Sequence, residues 1–428
     1  MRKLVVIAAE QYVRNLVAAG AFDEIDDDTF YVSGGLRDLG PLEDHPRYLG
    51  AIEGAADRRA TYLKLRRLLL ASYRFRSRTQ RIKLRFVPPV QRLILRLQSL
   101  PGPRQVLSRR YLRQTGLNPQ LHALMEEVRP DLVIAPSGGT DNLVIDALRS
   151  AQALGIRSLL LVYNWDNLSS KGTFPVKPDH LGVVGPQSVE HAWRIHRIPG
   201  ERVTVLGAPY IDSYFFHEPG STASPFPFRY ALFAGCYMPF DELTPLRALE
   251  AAIEERGLDL KVVYRPHPQR RRRKVADFFD EREFRHVVLD PQVRDGYRQA
   301  AREQTEGEDA PAPLPALDYY PALLEHAQFV ICPLSTMVLE SAIFERRVIA
   351  VAYHDGVHKD SPGVVIGYDH FQGMDAIDGL EMCRRAEDLV PLFLRLVGDP
   401  APRRSLRDQV HPWIYHDERP YRRRLAEL

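Results

Sequence analysis

The chain has 428 residues, 45% of them apolar and 26% charged, and its 58 Lys and Arg nearly balance 55 Asp and Glu. That length exceeds one ordinary core and predicts two domains. The charge balance singles out no class of partner, and no apolar run approaches the ~18 residues of a membrane span. Three widely spaced cysteines (Cys236, Cys332, Cys383) show no metal-ligand spacing. With no signal peptide in view, this predicts a reducing, cytoplasmic setting.

In chain order, "KLVVIAA" predicts a first strand, "EQYVRNLVAAGAFDEI" a helix and "IDDDT" (25–29) a turn. The pattern then breaks. No acid occurs between Asp57 and Glu126, while residues 58–113 hold 17 Lys or Arg. Proline pairs at Pro88-Pro89 and around Gly102 (Pro101, Pro103) predict helices interrupted there. Leu, Ile and Phe alternate with arginine in "YLKLRRLLLASYRFRSR" and "IKLRFVPPVQRLILRLQSL". Three readings stay open: an interfacial segment on an anionic membrane surface, a nucleic-acid surface, or a solvated basic face. The interleaved apolar residues fit the first best, which makes the chain peripheral at the inner face of the membrane, and nucleic acid is not expected as a partner.

A regular alternation follows. Helix "NPQLHALMEEVRP", strand "DLVIAPS", helix "DNLVIDALRSAQALG" and strand "RSLLLVY" precede "HLGVVG", "QSVEHAWRIHRI" and "VTVLG". The Pro-, Gly- and Ser-rich stretch 217–228 predicts a linker. Beyond it the alternation restarts with "YALFAG", a helix near 241–256, "LKVVYRPHP", "HVVLD", a helix around 318–326, "FVICPLS", "TMVLESAIFE" and "RVIAVAY". The acidic, Pro-rich stretch 304–316 predicts a surface loop. Nearly continuous apolar strands alternating with helices predict parallel sheets covered on both faces. The expected architecture is α/β: two doubly wound Rossmann-like domains facing a cleft, with a basic helical insertion in the first. The boundaries are 1–216, a linker at 217–228, 229–400, and C-terminal helices at 401–428 packing back on the first domain.

Ligands of such folds lie at the carboxyl ends of the strands. Four loops there carry unusual polar residues. "APSGGTDN" (135–142) leaves backbone amides approachable, and Asp141 or Thr140 can cap the next helix. "LVYNWDNLSSKG" (161–172) sets Trp165, Asp166, Asn167 and Lys171 together. There Asp166 suits a base, Trp165 a flat face for a sugar, and Asn167 and Lys171 a substrate-placing role. "VVYRPHPQRRRRK" (262–274) holds His267 stiffly between prolines, and with Arg265 it suits a diphosphate. "ICPLSTMVLESAIFERRVIAVAYHDG" (331–356) starts a helix at Ser335 and Thr336, where hydroxyls and free amides can hold phosphate. Glu340, one turn on, suits a ribose, and His354 and Asp355 open the next loop, where they can reach an acceptor or sugar.

The "RPHP" strand end and the later Ser/Thr-then-Glu helix resemble the nucleotide-binding domain of GT-B fold glycosyltransferases. Most similar is the bacterial capsule and surface-polysaccharide branch that includes poly(glycerophosphate) glycerophosphotransferase-like proteins. "NWDNLSSKG", "PLSTMVLE", "AYHDG" and the first helix are similar to stretches there, whereas 58–113 and 291–317 match nothing in it. The resemblance implies a nucleotide-activated donor in the second domain and a glycan or lipid-linked acceptor in the first. It implies that Arg265, His267, Ser335 and Thr336 stabilise the departing phosphate and that Glu340 holds the ribose. Asp166 first, or Asp141 second, would take the acceptor's proton, with no bound metal and no cofactor beyond the donor substrate. "PDLVIAPSGGTDNLVIDALRSAQALGIRSLLL" is also similar in rhythm to non-hydrolysing UDP-N-acetylglucosamine 2-epimerases. Their "GDT" and "HVEAGLR" stretches read "SGGT" and "LVYNWDN" here. An epimerase-like nucleotide-sugar enzyme and a non-catalytic carbohydrate-binding protein of the same fold remain the alternatives.

Overall fold

A computed structural model describes residues 1–54, 56–267, 279–306, 319–358 and 361–428. The chain forms two compact units. One comprises Met1–Ser213, Tyr368–His370 and His411–Leu428, and the other Tyr214–Gly367 and Phe371–Val410.

The first unit is built on β1 (Lys3–Ile7), β2 (Thr29–Ser33), β3 (Tyr48–Ala51), β4 (Leu132–Ser137), β5 (Arg157–Val162), β6 (His180–Val183) and β7 (Val203–Val205). Their order is β3-β2-β1-β4-β5-β6-β7, with every pairing parallel. Alternate residues of β1 serve different cores. Leu4 and Val6 pack with Leu121, Met125 and Ala147, while Val5 and Ile7 pack with Leu16, Ile134 and Leu161. A strand's period of two therefore buries both faces, as a doubly wound sheet requires. Tyr421 and Leu425 of the C-terminal helix Tyr421–Ala426 complete the second of these cores.

The second unit has β8 (Tyr230–Ala234), β9 (Lys261–Arg265), β10 (Val287–Leu289), β11 (Val330–Pro333), β12 (Val348–Val351) and β13 (Leu380–Cys383). They lie in the order β10-β9-β8-β11-β12-β13, again all parallel. Both sheets thus reverse strand order beside their first strand, at β1/β4 and at β8/β11. Two Rossmann-like parallel sheets with a basic helical insertion in the first is the fold expected above. β2, β3, β13 and the helices Pro291–Glu306 and Leu389–Gly398 have no counterpart in that expectation.

Several boundaries differ from expectation. The final return to the first unit begins at His411, not 401, because Leu406 packs in the second unit against Gly379. The 217–228 stretch is anchored. Glu325 accepts hydrogen bonds from Thr222 Oγ1 and the Gly220 amide and pairs with His217 at 2.8 Å, and Phe226 stacks on Phe228. The expected loop 304–316 lies outside the described residues from 307 onward, as does the arginine run 270–274.

The insertion consists of helices Ala56–Tyr73, Arg78–Arg85, Pro89–Gln98 and Pro101–Thr115, with Pro89 and Pro101 opening the last two as their fixed φ favours. It is fastened to helix Asn142–Leu154. Tyr62 donates to the buried Asp146, Arg58 lies 3.4 Å from the same carboxylate, and Arg149 reaches Thr115 Oγ1 at 2.7 Å. Helix Pro89–Gln98 buries no residue; Val90, Leu93, Ile94 and Leu97 form an exposed row at i, i+3, i+4 and i+7. Among the described residues no helix is long and apolar enough to cross a membrane.

Asp369 closes the insertion from the other side. Its carboxylate accepts from Ser77 Oγ (2.7 Å), the Thr79 amide (2.9 Å) and Arg194 (3.2 Å), and its own amide donates to Thr79 Oγ1 at 2.8 Å. Burial pushes this carboxyl up, but the Thr79 and Ser77 hydrogen bonds and Arg194 outweigh it and hold it down to about 2. A carboxylate held low stabilises the fold above its ordinary value and loses that contribution as pH falls toward 2. Asp369→Ala is expected to cost about 2 kcal/mol, after allowing for solvent screening, at neutral pH. In urea melts the deficit should stay constant from pH 5 to 8 and shrink below pH 4; a pH-independent deficit would show that the carboxylate's charge is not what matters.

Candidate functional site

Each sheet gathers its unusual side chains at its own reversal point, where the loops after two neighbouring strands part in opposite directions.

In the first unit, Tyr12 follows β1 and Asp141 follows β4. The Tyr12 hydroxyl donates to Asp141 Oδ2 (2.8 Å) and accepts from the Gly138 amide (2.7 Å), and Ser137 Oγ donates to the same carboxylate oxygen at 2.7 Å. Burial and the Asp141 charge push the Tyr12 phenol far up, so it stays protonated. Asp141 Oδ1 accepts no hydrogen bond among the described residues. The second glycine of the loop is required. Gly139 has φ +78°, and a Cβ there would lie 2.3 Å from the Gly172 Cα, so only bare backbone lets this loop meet the loop after β5.

That second loop holds Trp165, Asp166, Asn167 and Lys171. Asp166 Oδ2 accepts from Ser170 Oγ at 2.6 Å and Oδ1 from Asn167 Nδ2 at 3.0 Å. Burial works to raise this carboxyl, but Lys171, the Ser170 hydrogen bond and Lys83 together hold it below its ordinary value. Asp166 is therefore an ionised acceptor with both oxygens engaged. The expectation that Trp165 presents an open face for a sugar meets a correction: the indole is 2% exposed and lies edge-on to the His370 ring at 5.1 Å. His370 itself hydrogen-bonds through Nδ1 to Ser169 Oγ (2.7 Å), and burial pulls its imidazole down to about 3, leaving it neutral. Asn167 uses its side-chain oxygen on the Asn164 amide at 3.0 Å, a loop-shaping contact.

In the second unit, Gly235 follows β8. A Cβ on it would sit 2.8 Å from Glu242, whose buried carboxylate accepts from the Cys236 amide (3.1 Å) and the Tyr264 hydroxyl (2.6 Å). At the end of β9, Arg265 is expected to grip phosphate, but it is buried and bonded to Asp290 and to the Tyr320 hydroxyl (2.8 Å). Its guanidinium is committed to Asp290 and Tyr320 in the interior. His267 stands two residues on, its ring 5.8 Å from that of Tyr237.

After β11, Ser335 precedes helix Thr336–Ile343, whose first residue is Thr336. The Ser335 side chain does not cap that helix, and its Oγ is buried without a hydrogen-bond partner. The adjacent Cys332 thiol feels this hydroxyl, but no sound hydrogen-bond geometry joins them. Glu340 is buried on the same helix, and no described residue pairs with or hydrogen-bonds its carboxyl. Burial pushes it up to about 7, with Arg265 pulling the other way. Asp355, expected to reach a sugar, is instead consumed by its own loop. It accepts from the amides of Asp241 (3.0 Å), Val357 (3.1 Å) and His358 (2.9 Å) and contacts His358 Nδ1 at 2.6 Å. His354 is exposed, with Nδ1 3.0 Å from Ser361 Oγ.

The sequence reading passed over Tyr12, Lys83, His370 and Glu242. Tyr12 and Glu242 could have been found as polar residues shortly after β1 and β8; His370 and Lys83 lie far in sequence from what they touch. Among the described residues, no group of three His, Cys, Asp or Glu side chains is arranged to hold a metal ion.

No protein-family model and no curated protein sequence matches the chain. Solved structures do. S. aureus MnaA, in a co-structure with UDP, superposes with a TM-score of 0.52 at 11% identity, over 99% of this chain and 95% of that one. UDP-GlcNAc 2-epimerase from Methanocaldococcus jannaschii gives 0.51 at 10% identity over 99% of both chains. The Neisseria meningitidis enzyme of that name, bound to UDP-GlcNAc, gives 0.51 at 12% over 100% and 99%. At such identities the likeness establishes the fold, the two-Rossmann-domain GT-B architecture.

Glu340 makes a pH-dependent demand on the fold. Its carboxyl titrates near 4.5 when unfolded and near 7 when folded, so between those values the folded chain keeps a proton that the unfolded chain has lost. Stability should fall as pH rises across that window. Glu340→Gln is expected to stabilise the protein at pH 8 by up to about 3 kcal/mol and to change nothing at pH 4. Identical pH profiles for the two proteins in urea melts would show that Glu340 is paired or solvated after all.

Proposed function

We propose that the chain is a nucleotide-sugar enzyme and, within that class, a glycosyltransferase. It would move a sugar, or a related polyol-phosphate unit, from a nucleotide-activated donor to a growing surface glycan or lipid-linked acceptor. The observation that carries this reading is the pair formed by the buried Ser335 hydroxyl and the buried Glu340 carboxyl one turn later, neither of which has a hydrogen-bond partner among the described residues. Leaving such groups unsatisfied is costly, and a ligand bearing phosphate and vicinal hydroxyls would satisfy both. Glu340 would accept from the ribose hydroxyls, and Ser335 with the amides at Thr336 would meet a phosphate oxygen. The similar structures that hold UDP and UDP-GlcNAc support a uridine nucleotide as the first donor to try.

For the base, the free Oδ1 of Asp141 favours it over Asp166, whose two oxygens are both engaged. His267, just past the end of β9 in the same unit, would stabilise the leaving group. Arg265 would act by holding Asp290 and Tyr320 in place. Epimerisation is the second reading, favoured by the likeness to UDP-GlcNAc 2-epimerases; it needs no acceptor.

One set of measurements separates these. A nucleotide present at about 100 times its Kd adds about 2.7 kcal/mol to stability, readily seen as a rise in Tm. UDP is expected to give that rise, and Glu340→Ala to reduce it. Asp141→Asn should keep the nucleotide response and lose transfer by about a hundredfold or more. If Asp166→Asn loses transfer and Asp141→Asn does not, the base is Asp166. Conversion of UDP-GlcNAc to its C2 epimer without acceptor would establish the epimerase reading, and stabilisation by no UDP, CDP, CMP or GDP would sink both.

The same reading seats the protein on an anionic membrane surface through the insertion. Val90, Leu93, Ile94 and Leu97 are exposed together on helix Pro89–Gln98, within a stretch carrying no acid from 58 to 125. Apolar side chains entering the headgroup boundary with arginines at anionic lipid is the arrangement such helices use. In vesicle co-sedimentation the chain should bind anionic and not neutral vesicles. Leu93→Asp should abolish binding, and neutralising Arg81, Arg85 and Arg96 should cost about 1 kcal/mol each. Binding indifferent to salt and to both sets of changes would rule the surface out.

A further inference from the structure

Two cations of the insertion point inward. Helix Ala56–Tyr73 lies along helix Asn142–Leu154, with Tyr62 bonded to Asp146 and both Tyr62 and Leu65 packed on Ile145. Arg66, one turn beyond Tyr62, is thereby carried toward the start of that helix, where the Asp141 charge acts on it. Its Nε is buried with no hydrogen-bond partner. Helix Arg78–Arg85 applies Gln80 and Lys83 to the loop after β5. Lys83 Nζ donates to the Ser170 carbonyl at 2.7 Å, and Gln80 Nε2 to those of Ser169 and Ser170 at 3.0 Å each. The next residue is Lys171, whose Cε lies 3.6 Å from where a Cβ on Gly138 would be.

Arg66, Lys83 and Lys171 therefore converge on the Gly138-Gly139 loop and outnumber the two acids there, Asp141 and Asp166. Among the described residues none of the three forms an ion pair. Their mutual effect is visible at Lys83. Burial, then Lys171 and Arg66, drive its amine down to about 8, against the pull of Asp166. Holding three like charges together, partly out of water and with only two acids to offset them, is unfavourable for the empty protein. An anion between them would reverse that sign and give Arg66 Nε its missing acceptor. The two glycines leave the backbone open beside it.

We infer that Arg66, Lys83 and Lys171 form an anion subsite for a phosphate or diphosphate group, so that the acceptor of the transfer reaction carries phosphate. The second clause rests on the transferase reading above; the subsite itself does not. The acids beside it fit this role, since the acceptor hydroxyl would lie near Asp141 while its phosphate meets the cations. Binding should weaken as pH rises through about 8, where Lys83 loses its proton.

The test is calorimetric titration of the full chain with inorganic diphosphate in the presence of excess UDP, which occupies the donor position. Diphosphate should bind, and Arg66→Gln, Lys83→Gln and Lys171→Gln should each weaken it about tenfold or more, as loss of a charge-assisted hydrogen bond does. Among the described residues Lys171 has no side-chain hydrogen bond or ion pair, so its variant stays informative even if Lys83→Gln folds poorly. Geranyl diphosphate distinguishes the sources: tighter binding than inorganic diphosphate assigns a lipid-borne phosphate, and equal binding a free or sugar-borne one. No binding, or binding unchanged in all three variants, overturns the subsite. Failure of the transferase reading would look different, as loss of the UDP response with diphosphate binding intact.

Discussion

A parallel β-ladder cannot be closed by a tight turn. Each strand must be returned by a crossover that covers one face of the sheet, and all the strands then end at the same edge. Both units of this chain obey that constraint throughout, and their chemistry follows from it. Tyr12, Asp141 and Asp166 come after β1, β4 and β5, while Arg265 ends β9 and Ser335 comes after β11. Distance along the sequence is irrelevant to their meeting. What brings them together is that strand order reverses at β1 and at β8, so the loops on either side part and leave their polar residues facing one space per unit.

Within those edges the useful distinction is between charge that the fold has already spent and charge that it has not. Glu242, Asp355 and Asp369 each accept several hydrogen bonds from their own unit and serve to shape loops. Arg265 and Asp290 neutralise each other in the interior, an arrangement that is costly to break and of little net value to stability. Among the described residues, nothing compensates Glu340, Ser335 Oγ or Arg66 Nε in this way. Stability alone does not explain them, and that is why they carry the functional reading.

The insertion joins these themes. Its outer helix leaves an apolar row uncovered. Its inner helices are locked to the first unit by Asp146, Arg149 and Asp369, and deliver Arg66, Lys83 and Gln80 to the reversal point. A basic surface element and a component of the site are thus one piece of chain. Asp369 and His370, drawn into the first unit from a stretch otherwise belonging to the second, complete the same packing.

The sequence by itself determined the two parallel sheets, most of their strands, the broken basic helices and the loops that matter. Burial on both faces writes continuous apolar runs, and proline stops helices by local geometry that needs no partner. It did not reveal β3, four residues long and only half covered on an outer edge of its sheet, or β13, whose "LEMC" lacks an apolar run. Nor could it show whether a polar residue at a strand end is spent or free. Arg265 and Glu340 look equally suited to a ligand until Asp290 is seen to claim the first and no described residue to claim the second. Trp165 looks open until His370, about 200 positions away, is found against it. Which groups share a strand edge is a local property of the pattern. Which of them keep their hydrogen-bonding capacity depends on neighbours that only the folded chain supplies.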